Sequence, residues 1–140
     1  METASQVSPE PVDTSAETRE WMNKAAITWR RDPVIKRLTS PTSPLRARRL
    51  GYKNRRGTIV VRVRIRRGGA RKPRPVSGRR QKAMGISKFT RSISLKHIAE
   101  GRVERRYPNL KVKSSYYLFS DGKNHWFEVI LGKTASPSGI

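Results

Sequence analysis

Apolar residues recur at every second position between Thr58 and Arg67. Ile59, Val61, Val63 and Ile65 fall on one side, Arg62, Arg64 and Arg66 on the other. A period of two with β-branched residues predicts a half-buried strand whose apolar face meets a core. Its second face would be a row of guanidiniums about 6.6 Å apart, two residues at ~3.3 Å rise, which suits successive phosphates along a backbone. Gly68-Gly69 ends the alternation. Residues 70–85 then carry no period, with Pro73, Pro75, Gly78 and Gly85 set among bases. Such a segment is expected to lack structure on its own, and fully extended it would reach ~50 Å at ~3.3 Å per residue.

Upstream, Ser15 to Arg31 has helical spacing, with Trp21, Ala25 and Thr28 or Trp29 on one face and Ser15 as the cap. Asp32-Pro33 ends it, since proline keeps the preceding residue out of helical geometry. Ser40-Pro41-Thr42-Ser43-Pro44 reads as a rigid, extended connector. Downstream, Ser94 caps a helix from Leu95 to about Tyr107, stopped by Pro108, with Leu95, Ile98, Ala99 and Val103 as its buried stripe. Gly101 inside it costs about 1 kcal/mol against Ala, so this helix depends on packing. Leu110–Leu118 and His125–Leu131 read as strands joined by an Asp121-Gly122 turn, a hairpin. Strand, long basic excursion, helix, strand, strand predicts an α+β domain: a small, mainly antiparallel sheet with packed helices and long basic extensions.

Composition changes this picture most through charge. The 140 residues suffice for one modest domain, and they carry 32 Lys and Arg against 10 Asp and Glu, a net charge of +22. Self-repulsion at that density disfavours a lone compact protein, and a polyanion relieves it. The bases are unevenly spread. Residues 1–20 form an acidic, Ser/Pro-rich tail with a disorder-like composition. Between Asp32 and Glu100 lie 67 residues with no acidic side chain and 21 Lys and Arg. Ordinary surfaces mix both signs, so this segment is an electrostatic footprint for nucleic acid. The organisation expected is a tail over 1–20, one domain over 21–131 with an extended basic loop at about 68–91, and a flexible end over 132–140.

Little in the chain suggests catalysis or cofactor binding. Cysteine is absent, which excludes disulfides and thiolate metal sites. His97 and His125 are the only histidines. His97 shares a helix face with Glu100, but no third ligand is apparent. Glu128 alternates out of its strand and reads as solvated or paired with a base. Gly132-Lys133-Thr134 resembles the end of a phosphate loop, but Phe127 stands where that loop needs glycine. No metal, no cofactor, no small-molecule substrate and no enzymatic activity is expected. No apolar run approaches the ~20 residues of a bilayer span, and the polar, acidic N-terminus is unlike a secretory signal. These features fit a cytoplasmic protein with no membrane partner. Among the aromatics, Tyr117, Trp126 and Phe127 lie in strands and read as core. Tyr52, flanked by bases, reads as an RNA-facing ring.

Several blocks then resemble a known family: RARRLGYK (Arg46–Lys53), VVRVRIRRGGARKPRP (Val60–Pro75), GRRQK (Gly78–Lys82), HIAEGRVERRYPNL (His97–Leu110), SYY (Ser115–Tyr117) and FEVIL (Phe127–Leu131). In this order, over about residues 27–131, they are similar to large-subunit ribosomal protein fifteen of the archaeal and eukaryotic type, nearest the archaeal members. The resemblance implies an α+β domain with extensions embedded in large-subunit rRNA, a structural role in the ribosome, and contacts with neighbouring ribosomal proteins. The family usually opens on an aromatic-rich helix and continues past FEVIL into a basic, Gly-rich tail; here an acidic stretch and GKTASPSGI stand in those places.

The RNA-binding residues expected are therefore Arg46, Arg48, Arg49, Tyr52, Lys53, Arg55 and Arg56 as a first clamp. Arg62, Arg64, Arg66 and Arg67 follow on the strand, then Arg71, Lys72, Arg74, Arg79, Arg80 and Lys82 on the arm. Arginine can grip phosphate bidentately, which lysine cannot. A free-standing RNA-binding module or RNA chaperone would share the charge and is the alternative. A polybasic membrane-surface protein lacks the amphipathic helix it would need. A short nuclear address does not account for 67 residues.

Overall fold

The computed structural model of the protein describes residues 16–86 and 89–133. The first fifteen residues of the expected acidic tail, the Ser15 cap, and residues 134–140 of the expected C-terminal tail lie outside them. The element order is α1 (Ala16–Arg31), β1 (Ile35–Leu38), α2 (Pro44–Arg49), β2 (Thr58–Arg66), a 3₁₀ turn (Gln81–Ala83), α3 (Leu95–Arg106), β3 (Leu110–Ser120) and β4 (Asn124–Lys133). The four strands form one antiparallel sheet in the order β1-β2-β4-β3. The α+β class is as expected, and so are the strand at 58–66, the hairpin and the Ser94 cap, whose hydroxyl accepts from the His97 N–H at 3.2 Å.

The sheet is covered on both faces. On one, Val61, Val63, Ile65, Phe127, Val129 and Leu131 pack with Ala99 and Val103 of α3. This is the apolar side of β2 read from its alternation. On the other, Val60, Trp126, Ile130, Tyr116 and Leu118 pack with Ala26 and Trp29 of α1 and Ala47 of α2. The second layer corrects the half-buried strand: Arg62 and Arg64 lie under α1 instead of facing outward. Rings supply much of that layer. Phe119 stacks on Trp126 at 5.9 Å between centroids, and Trp29 meets both edge-on at 6.5 and 5.8 Å. Each such pair adds about 0.5–1.5 kcal/mol beyond the area it buries.

Two elements differ from expectation. β1 pairs with β2 from Ile35↔Val63 to Leu38↔Val60 and adds an edge strand. The connector 40–44 leads into a helix: Pro44 begins α2 after Ser43, the position where proline's fixed φ and missing N–H cost least. Pro41 is buried rather than solvated.

Buried charge explains why this layer closes. Glu128 of β4 is 0% exposed and stands directly opposite Arg62 of β2, which is 7% exposed. Glu128, expected to be solvated or paired with a base, is buried, with the base Arg62 opposite it in register. Its carboxylate accepts from the Thr42 N–H at 3.1 Å, from the Thr42 hydroxyl and from the Tyr116 hydroxyl. Burial, with the field of Glu128 and the hydrogen bond to it, holds the Tyr116 hydroxyl protonated far above the usual phenol range. Arg62 donates to Asp32 at 2.7 Å, and its guanidinium lies 4.4 Å from the centre of the Trp29 ring. A cation over an indole face out of water gains about 2 kcal/mol.

Removing Arg62 takes the buried partner from Asp32, and removing Glu128 leaves the Tyr116 and Thr42 donors unsatisfied, each at about 3–5 kcal/mol. Arg62→Met and Glu128→Leu should each cost about that much in urea unfolding. The double variant should cost less than the sum, because the favourable field between the two charges is lost only once. Simple additivity would show that the two are not coupled.

Candidate nucleic-acid interface

With Arg62 taken up inside, the remaining bases can be placed one by one. Arg64 is half-buried, and its guanidinium donates to the carbonyl of Arg30, one of the last of α1. It thus serves as a C-terminal cap, where cations also meet the negative end of the helix dipole. Of the arginine row on β2, Arg66 is the exposed member, 3.4 Å from the Gly69 carbonyl. Arg67 follows it, exposed, and donates to the Asp121 carbonyl at 3.1 Å. The row does not form a ladder for phosphates.

A first exposed group is built by α2 and the loop after it. Ala47 is the residue this helix buries, which turns Arg46, Arg48 and Arg49 to the surface. Gly51, at φ +86°, turns the chain, and the Tyr52 N–H returns to the Ala47 carbonyl at 2.9 Å. Lys53, Arg55 and Arg56 are exposed beyond it. Tyr52 itself is half-buried, with its ring on the cluster that holds Trp29 and Trp126. The expected RNA-facing ring is partly buried against that cluster, while the bases beside it in sequence are exposed.

The second group is the arm after β2. Arg71, Lys72, Arg74, Arg79, Arg80 and Lys82 are all exposed. Their hydrogen bonds are to nearby backbone: Arg74 to the Met84 carbonyl at 3.1 Å and Arg79 to that of Val76 at 2.7 Å. Ser77 and Gly78, both at φ 70°, reverse the chain there. Arg91 ties the far end of the arm to its root through the Gly68 carbonyl at 2.6 Å.

Ion pairing separates the two kinds of base. Among the described residues, carboxylates within 4 Å are found for Lys24, Arg30, Lys36, Arg62 and His97. None of the bases in the two exposed groups has one. Asp32, Asp121, Glu100 and Glu128 are committed to the fold. Asp32 holds Lys36 and Arg62, each at 2.7 Å. Chiefly the hydrogen bond from Lys36, with the fields of Lys36 and Arg62, outweighs burial and lowers its pKa. Burial would raise Asp121, but hydrogen bonds from Arg30 and from the Asn124 and Lys123 N–H groups keep it below the usual range. Glu100 accepts from Ser115 at 2.5 Å and faces exposed His97 at 3.3 Å. No cluster of three metal-ligating side chains occurs among the described residues, and none of their helices is long and apolar enough to cross a membrane.

Residues 10–138 match the model of the ribosomal L15 family. The chain belongs to this family. Its members are large-subunit ribosomal proteins, a structural, non-enzymatic class. Within the ribosomal L15 frame, the structural acids and bases that sequence reasoning missed are Asp32, Arg62 and Glu128. One signal pointed to them: in register, an acid inside the FEVIL strand must face either solvent or a buried cation.

The depressed pKa values set an acid limit on stability. A carboxyl with a folded pKa below its unfolded value near 3.9 stabilises the fold above that value, and the benefit is lost as pH falls toward the folded pKa. Asp32→Asn should therefore lower the urea midpoint at neutral pH, and the gap from the wild type should close below about pH 4. A gap that persists unchanged at low pH would show that the Asp32 charge is not the stabilising group.

Proposed function

We propose that this protein binds and stabilises folded rRNA of the large subunit, through the two exposed basic groups and not through the arginine row of β2. The observation that carries this reading is the division of the bases. Of those that close the fold, Arg62 has a carboxylate and a ring and Arg64 a helix-end carbonyl, whereas those of α2, its following loop and the arm have at most a backbone carbonyl at the surface and no carboxylate among the described residues. Arg46, Arg48, Arg49, Lys53, Arg55 and Arg56 form one clamp beside the sheet. Arg66 and Arg67 lead into Arg71, Lys72, Arg74, Arg79, Arg80 and Lys82 on an arm that can enter a space between RNA helices. Glycines 68 and 69 allow close backbone approach, and Pro73 and Pro75 reduce the entropy lost when the arm is ordered. Base-edge readout plays little part, because side chains cannot read the deep groove of A-form RNA and folded shape supplies the specificity. Its place is in the cytoplasmic ribosome, beside rRNA and neighbouring ribosomal proteins.

Each phosphate neutralised steepens the salt dependence by ~0.7–0.9 log units. Replacing Arg71, Lys72 and Arg74 together with Gln should flatten the salt slope for large-subunit rRNA by about 2–3 units. The fold should stay intact, because all three are exposed. An unchanged slope would remove the arm from the interface. The alternative, a free-standing RNA chaperone, predicts the same slope but no co-sedimentation with large subunits.

A further inference from the structure

The α3-covered face of the sheet does not end at α3. Near the hairpin turn it continues as a ledge of three rings. Tyr117 lies 5.8 Å from Phe127 and 6.2 Å from His125, at interplanar angles of 72° and 62°. Phe127 is core, but Tyr117 is 45% exposed although it sits inside a strand. Both neighbours meet it edge-on, so neither covers its face as Phe119 covers Trp126. Sequence patterning placed Tyr117 in the core; the structure leaves it at the edge strand.

The surroundings are basic. Arg67 continues β2 on the same face as His125; its N–H donates to the Lys123 carbonyl and its guanidinium to the Asp121 carbonyl. Lys123 in the turn is exposed, and with Arg66 and Arg67 it lines an open groove beside the ledge. Arg91 reaches the same corner through Gly68. The acids nearby are Asp121 and Glu100, and both are engaged, as described above. Burial and the Arg67 charge lower the pKa of His125, so at neutral pH it adds a neutral ring. Trp21 is also exposed, but Glu17 and Glu20 on its helix repel a polyanion.

We infer that Tyr117 is a stacking platform for an unpaired nucleobase of an RNA strand whose phosphates lie along Arg67, Lys123 and Arg91. The inference rests on the rRNA reading above and adds a second kind of contact to it. Stacking needs only a π-face, so the site would accept any base and would favour a splayed-out nucleotide over a helix.

The test uses the full chain with two probes: a short oligoadenylate and a matching abasic ribose-phosphate strand. Tyr117→Ala should weaken oligoadenylate binding about tenfold, within the range for one base–aromatic stack. Tyr117→Phe should restore the affinity. Tyr117→Leu, which keeps an apolar contact with Phe127, should not. All four proteins should bind the abasic strand equally and with the same salt slope. Equal oligoadenylate affinity for the wild type and the Ala or Leu variant would overturn the ledge, while a steep salt slope on both probes would leave the phosphate-binding reading standing. Loss of binding to both probes in the wild type would overturn both.

Discussion

Two charges that cannot reach water organise one half of this molecule. Arg62 and Glu128 face each other across β2 and β4 in the middle of the sheet, and burying either without partners is costly. Each recruits its partners from a different part of the chain. Glu128 takes Thr42 from the segment before α2 and Tyr116 from β3. Arg62 takes Asp32 and the face of Trp29 from the end of α1. These partners tie the end of α1, the segment before α2 and β3 to the middle of the sheet. The hydrophobic contacts of Ala26, Ala47 and Trp126 add apolar area to that arrangement.

The same economy explains how a chain of +22 keeps a folded body. Asp32, Asp121, Glu100 and Glu128 each reach across to another element or turn, where each ties down a base, a hydroxyl or a backbone N–H. The uncompensated bases are carried outside the sheet, on a six-residue helix, its following loop and an arm. Self-repulsion is thereby concentrated where an RNA partner would relieve it. One composition thus supplies both a closed sheet body and a set of bases outside it with no carboxylate partner among the described residues.

Much of this was legible in the sequence, for reasons tied to particular residues. Period-two spacing revealed β2, Ser94 and Pro108 bounded α3, and Asp121-Gly122 marked the hairpin. The second core layer was hidden because alternating arginines imitate a solvated face. Only the register to Glu128 and the nearness of Asp32 and Trp29 show that Arg62 is inside, and both are tertiary facts. β1 has four residues, too few for a clear period. α2 was signalled by Ser43-Pro44, yet the prolines before it suggested a stiff linker. The burial of Tyr52 and the exposure of Tyr117 escaped the sequence for one reason: neighbours in sequence say little about which side of a loop or an edge strand faces water.

Amide hydrogen exchange on the full chain, free and bound to large-subunit rRNA, tests the division between anchoring and RNA-facing bases most directly. The account predicts slow exchange for the Val60–Ile65 amides in both states. Residues 70–82 should exchange fast in the free protein and slowly when bound. An arm whose exchange is unchanged by RNA, or a β2 that becomes protected only on binding, would contradict it.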